Sequence, residues 1–398
     1  MTDAKPRGPR RALRHQRGQA AVRGEPEIAA WLGRALDAPN DAADDVWTHG
    51  FHVYPARMHW AVARGVIAGA AAALGLTARL DPGEGREEPR AVGEGDASGE
   101  VGGAAARPAP RPRVLDPFCG SGTVLVEARA AGWAAVGVDL NPLAVRLATL
   151  KASPRDGKDL ERLREAVERV ADRSRGWVRE RADLLAPLPA AERQWYAPHV
   201  LKELAGLWAA IGQEPEPAVR RALELVFSAM VVKFSLQRGD TSPERQDKAI
   251  GRFIPTEFFE RKGDELVERL GALGAHVRPG TPRVKVLEGD VRRLPNVLAG
   301  AHLLPPGFEL IVSSPPYGGT YDYLDHHARR MAWLGLDDRA LRSGELGARR
   351  HWSAPEGERR GGGARDDERE AAQRERGQLD AWDEELLAAI DPIAEVLA

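Results

Sequence analysis

Two short stretches hold the residue types that could do chemistry. The first is DPFCGSGT, Asp116 to Thr123, which follows a short apolar run and precedes a helical pattern. A glycine-rich turn between a strand and a helix offers free backbone N–H groups to an anionic ligand group, and Gly120 and Gly122 let the main chain approach closely. No Gly-Lys-Ser/Thr follows, so the turn is not a triphosphate-binding loop. The third glycine position of a dinucleotide fingerprint is Leu125, which argues against a pyrophosphate. A ligand with a small carboxylate and an adenosine fits better. Asp139 ends the next strand-like run, where a carboxylate can accept from both ribose hydroxyls. Asp290 ends a later run, LEGD, in a position suited to an adenine amino group. Taken singly, each acid reads as a strand-end cap or turn residue; taken in order on one sheet, the three favour a ligand.

The second stretch is FELIVSSPPYGGTYDY, Phe308 to Tyr323. Phe308 to Val312 reads as a buried strand, and Pro315 cannot continue a central ladder because it lacks an N–H. The bland reading is a strand stop and a turn; the sharper one is a rigid catalytic loop. Cys119, the single cysteine, excludes an internal disulfide and any multi-cysteine metal site. It lies inside the first turn and reads as a small packing residue. The histidine groups His49, His52, His59 and His326, His327 show no coordination spacing, so no metal is expected.

The elements that must position these loops follow from periodicity. The run RVLDPFCGSGTVLVEARAAGWAAVGVDLNPLAVRLATL reads as strand (Arg113–Asp116), turn, helix (Gly122–Ala131), strand (Ala134–Asp139) and helix (Pro142–Lys151). Short connections between such elements imply a parallel sheet with helices on its faces. Roughly 130 residues of helical pattern come next, with apolar stripes at Leu160, Leu163, Val167, Val170 and at Val219, Leu223, Val226, Met230, Phe234. Strand alternation returns at RVKVLEGDVRRLP. The implied organisation is a disordered basic tail (1–26), an N-terminal helical segment (27–77) and a low-complexity linker (78–112). A core in two pieces (113–152 and 284–350) brackets a helical insertion (153–283), and a charged low-complexity loop (353–378) precedes a C-terminal helix (379–398). A net charge of −2 removes any global argument for nucleic-acid binding, which leaves local basic patches such as the arginine-rich tail. With no run of about 18 apolar residues and no signal-type apolar core, a cytoplasmic chain without a membrane span is expected.

S-adenosylmethionine (SAM) meets all three ligand requirements. At this point the chain resembles the SAM-dependent amino-methyltransferases of DNA, the cytosine-N4 and adenine-N6 enzymes, through DPFCGSGT as cofactor loop and SPPY as catalytic tetrapeptide. The resemblance implies an α/β fold, a Rossmann-like SAM-dependent methyltransferase sheet with a helical insertion. It implies cofactor contacts for Asp116, Gly120, Gly122 and Asp139, joined by Pro117, Phe118, Thr123, Asn141 and Asp290. Catalytic work falls to Ser314, Pro315, Pro316 and Tyr317. HGFHVYPAR is similar to the His/Tyr-Pro-Ala segment before the cofactor loop in some of these enzymes, and QRGDTSPERQ and SPPYGGTYDYLDHHARRMAWLGL are similar to one bacterial branch; the resemblance nominates Tyr54, Arg57, Arg238, Asp240 and Tyr321 as substrate contacts. DNA is the expected partner.

The chemistry accounts for the prolines. An exocyclic base amine is a weak nucleophile because its lone pair is delocalised into the ring. Acceptors such as the Ser314 hydroxyl and the Pro315 carbonyl would hold its N–H groups out of conjugation, and fixed φ angles make that carbonyl rigid. Tyr317 would stack on a flipped base. A sheet of this class has seven strands, whereas four are legible, near Val114, Val136, Val286 and Ile311. The sequence therefore predicts a core apparently lacking its last strands: a fragment, one part of a split gene, or a chain whose sheet a partner chain or dimer completes, weakly active or inactive alone. Two other functions stay open: an RNA guanine-N2 methyltransferase, and a truncated non-catalytic SAM- or DNA-binding relic.

Overall fold

The computed structural model describes residues 24–40, 42, 45–76, 111–240, 242–318, 322–348 and 380–397. Most of the expected basic tail, linker and charged loop, together with Tyr321, lie outside them.

Strands β1 (Arg113–Asp116) and β2 (Ala134–Asp139) form where the chain is apolar without alternation, as strands covered on both faces require. With β5 (Lys285–Glu288) and β6 (Leu310–Ile311) they make a parallel sheet in the order β5-β2-β1-β6. Strand order therefore reverses beside β1, and the C-terminal ends of β1 and β6 flank the crevice in which open α/β sheets bind ligands. β3 (Gln237–Gly239) and β4 (Ser242–Arg245) form a separate antiparallel hairpin.

Each face of the sheet is covered. Val114 and Ala135 pack with Val124, Leu125 and Ala128 of helix α3 (Thr123–Ala130), Ala148 of α4 (Pro142–Lys151), and Ala63 and Ile67 of α2 (Trp60–Ala73). Leu115, Val136 and Val138 point the other way, onto Leu294 and Leu298 of α9 (Leu294–Gly300) and onto Val396. Helix α2 starts at Trp60, where the His59 ring accepts the Ala61 N–H and caps it. A further helix, α1 (Pro26–Asp37), precedes it.

The segment before α2 is tied to the core by buried polar bonds. Glu127 of α3 accepts from His49 (2.8 Å) and Arg64 (2.8 Å), and Thr48 donates to the Lys151 carbonyl (2.9 Å). The region between β2 and β5 contains α5 (Gly157–Arg179), α6 (Pro198–Gly212), α7 (Pro217–Phe234) and α8 (Ile254–His276). Their stripes share one apolar cluster with Leu143 and Leu147 of α4 and Trp333 of α10 (Tyr323–Leu334), so these helices pack directly on the sheet's own helices. Buried Glu203 of α6 caps α8 by accepting the Phe253 and Thr256 N–H groups at 3.0 and 2.9 Å.

Helix α11 (Arg339–Gly344) and a final helix α12 (380–394) complete the described chain. After α12, Leu397 forms a single parallel bridge to Phe308, and the Phe308 N–H donates to the Val396 carbonyl (3.1 Å). The run Phe308 to Val312, expected as a five-residue strand, contributes only Leu310–Ile311 to the ladder. No helix among the described residues is long and apolar enough to cross a membrane.

Candidate active site

β1 delivers Asp116 to the crevice, and β6 delivers the Ser-Pro-Pro-Tyr loop beside it. The two loops are joined: the Ser313 hydroxyl donates to Asp116 Oδ1 at 2.7 Å, and the Phe118 N–H donates to the same oxygen at 3.2 Å. Asp139, at the end of β2, accepts the Gly120 N–H (2.7 Å) and the Asn141 N–H (2.8 Å), which fixes the glycine turn against the second strand. Burial pushes the Asp116 carboxyl up to about 7, against the lowering effect of the Ser313 and Phe118 bonds, and the nearby Asp139 charge adds to the rise. Burial also raises Asp139, to about 6, while its two backbone bonds pull the other way.

The ends of these strands open onto a single cleft. Asp116, Pro117, Phe118, Gly120, Thr123, Asp139, Asn141 and Asp290 all lie on its wall, as do Tyr54, Arg57, Ser314 and Pro316. The Tyr54 ring covers Gly120, where an added Cβ would sit 3.2 Å from it, and is backed by Tyr323 and His327 at ring-centroid distances of 5.8 and 5.0 Å.

Other expected residues have different surroundings. Gly122 faces α4: its φ is +85°, and a Cβ there would lie 2.8 Å from Ala148 Cα. Its glycine character therefore serves helix packing, where the sequence suggested ligand approach. Asp290 lies two residues past the end of β5, caps the following turn, and has both carboxylate oxygens bonded by Arg292. Tyr317 is 49 % exposed beside the cleft, 3.4 Å from the Ser314 hydroxyl through its own. Arg238 pairs with Glu244 on the hairpin (2.6 Å), outside the cleft wall. Asp240 is held by Arg330 of α10, and its carbonyl accepts from His326 (2.7 Å). Cys119 is buried, with its sulfur and Cβ against Gly137.

Sequence reasoning missed Ser313, Glu345 and Trp382. Buried Glu345 lies on the cleft wall and accepts the Tyr323 N–H (2.6 Å) and the Leu324 N–H (3.4 Å), capping α10 from outside that helix. The Trp382 indole donates to the Pro316 carbonyl (3.0 Å). Nothing local marks Glu345 or Trp382, although the doubled serine before the prolines could have flagged Ser313. Among the described residues, no group of three or more His, Cys, Asp or Glu is placed to hold a metal ion.

The cleft has donors to spare. Thr123 Oγ1 and Asn141 Nδ2 are buried at its wall without a hydrogen-bond partner, and such groups cost free energy unless a ligand satisfies them. A ligand carrying a carboxylate and ribose oxygens suits them, so the residues present fit SAM.

A parallel sheet with both faces covered and a cleft at its switch point is compatible with a Rossmann-like methyltransferase. The chain is similar to a curated protein, the type II methyltransferase M.MvaI of Kocuria varians, at 24% identity over 235 residues. The alignment takes in 56% of this chain and 51% of the relative, so the chain spans about half the length of the curated relative it matches. No family model matches the chain, and no solved structure matches it.

Proposed function

We propose that the chain is a SAM-dependent methyltransferase acting on an exocyclic amino group of a DNA base, with cytosine-N4 ahead of adenine-N6. The observation that carries this reading is the bond from Ser313 to Asp116, which couples the Ser-Pro-Pro-Tyr loop directly to the glycine-turn side of the cleft. The similarity to a type II methyltransferase supports the same class.

In this reading the glycine turn, Asp139, Thr123 and Asn141 hold the cofactor, and Asp116 with its neighbours Pro117 and Phe118 shapes one wall. When bound, SAM supplies an electrophilic methyl group. Ser314 Oγ and the Pro315 carbonyl accept the N–H groups of the target amine and turn its lone pair toward the cleft. Tyr317, already exposed, offers its ring to the unstacked base. Proximity and orientation then supply much of the rate, and no covalent enzyme intermediate is required. The β3–β4 hairpin, tied to α10 through Asp240, would approach the phosphate backbone with Arg238, Arg245 and neighbouring Lys233, all exposed.

The deciding experiment is methyl transfer from labelled SAM to duplex DNA and, separately, to total RNA, with the products digested to nucleosides. N4-methylcytosine or N6-methyladenine is expected. Label in RNA guanine would overturn the choice of substrate, and SAM binding without any product would point to a non-catalytic relic.

A further inference from the structure

We propose that Trp382 is a positioning residue for the Ser-Pro-Pro-Tyr loop: its indole N–H holds the Pro316 carbonyl and thereby sets the direction of the groups that meet the acceptor. The inference rests on the reading of that loop as catalytic. The loop needs outside support because Pro315 and Pro316 have no N–H with which to tie themselves to a ladder. Its entry is fixed by the sheet, where the Val312 N–H donates to the Leu115 carbonyl (3.0 Å), and by Ser313 on Asp116 (2.7 Å). Its exit is held by Trp382, 3.0 Å from the Pro316 oxygen.

The peptide joining Pro316 to Tyr317 is planar, so a carbonyl held at one end also orients the Tyr317 N–H at the other. The fixed φ of both prolines transmits that orientation back to the Pro315 carbonyl and to Ser314. Trp382 can act this way because α12 is itself anchored. Glu385 accepts the Gly347 N–H (2.8 Å), and Trp382 Cδ1 lies 3.1 Å from where a Cβ on Gly347 would stand. One and two turns further along, buried Ala389 and half-buried Ile393 pack with Phe118, Val291 and Leu346. A single helix thus touches the glycine turn, the rim at 346–347 and the proline loop.

The test uses the full chain with W382F, which removes the donor, and W382H, which retains a ring N–H. Three quantities are measured: the single-turnover rate of methyl transfer, SAM affinity by calorimetry, and hydrogen exchange of the peptide carrying the Tyr317 and Gly318 amides. W382F should slow transfer about tenfold, the effect of one lost neutral hydrogen bond. SAM affinity should stay within about twofold, and exchange at 317–318 should rise while the 134–151 peptides are unchanged. W382H should recover a large part of both effects. Parental transfer and exchange in W382F would overturn the proposal. So would a loss of SAM affinity and melting temperature shared by W382F and W382H, because it would assign Trp382 to the scaffold. If the parent methylates neither DNA nor RNA, the functional reading fails, and the exchange measurement still decides whether Trp382 orders the loop.

Discussion

Replacing Asp116 with asparagine should stabilise the protein at pH 8. Asp116 is 3 % exposed, and burial raises its carboxyl from 3.8 to about 7. Between those two values the folded chain keeps a proton that the unfolded chain has released. Stability therefore falls as pH rises through that window, and the loss is complete above about pH 7. The gap corresponds to on the order of 4 kcal/mol at pH 8, falling to on the order of 2 kcal/mol at pH 5. The Ser313 and Phe118 donors both converge on Oδ1, and an amide oxygen there can accept them as the carboxylate does. The substitution thus removes the buried charge and keeps its bonds. Urea denaturation at pH 5, 6.5 and 8 without SAM should show Asp116→Asn more stable than the parent, with the advantage growing toward pH 8. Destabilisation at pH 8, or an advantage independent of pH, would refute the assignment of burial as the dominant influence on this group.

Other substitutions probe other links in the same chain of cause. Gly122→Ala forces a left-handed φ on a residue with a Cβ and drives that Cβ into the α4 backbone, so it should cost about 2–4 kcal/mol in urea denaturation. Glu345→Ala removes the acceptor for the first N–H groups of α10 and should cost about 1–2 kcal/mol, with faster exchange at Tyr323 and Leu324; Glu345→Gln should keep most of the cap. The double substitution of Lys233 and Arg245 by glutamine should weaken DNA binding at low salt. Its log–log salt slope should flatten by about 0.9 for each phosphate that is no longer neutralised, and an unchanged slope would remove the hairpin from the proposed interface.

Much of the core was legible in the chain itself. β1, β2 and α4 have the boundaries that periodicity predicts, because a doubly covered parallel strand must be apolar throughout and Asn141 followed by Pro142 marks a helix start. The cleft wall was legible in the glycine turn and in the acids at the strand ends because they occur together and in order, although each alone also serves as a cap or turn residue. Where the reading departed from the structure, a partner that periodicity does not show was the reason: Gly122 answers to Ala148 of another helix, and Asp290 answers to Arg292 two residues on. The strand at 308–312 pairs with β1 through Leu310 and Ile311, and the Val312 N–H adds one bond to the Leu115 carbonyl.

The sequence by itself determined the elements and the kinds of loop between them, because the 2.0 and 3.6 periods, caps, glycines and prolines act over a few residues. Only the tertiary structure decided which side chains meet at the site. Ser313 reaches Asp116 across 197 positions, and Trp382 reaches Pro316 across 66, because crossovers of a parallel sheet bring together loops that are remote in the chain. Such pairings have no local signal: their energy exists only once both partners are held on packed elements.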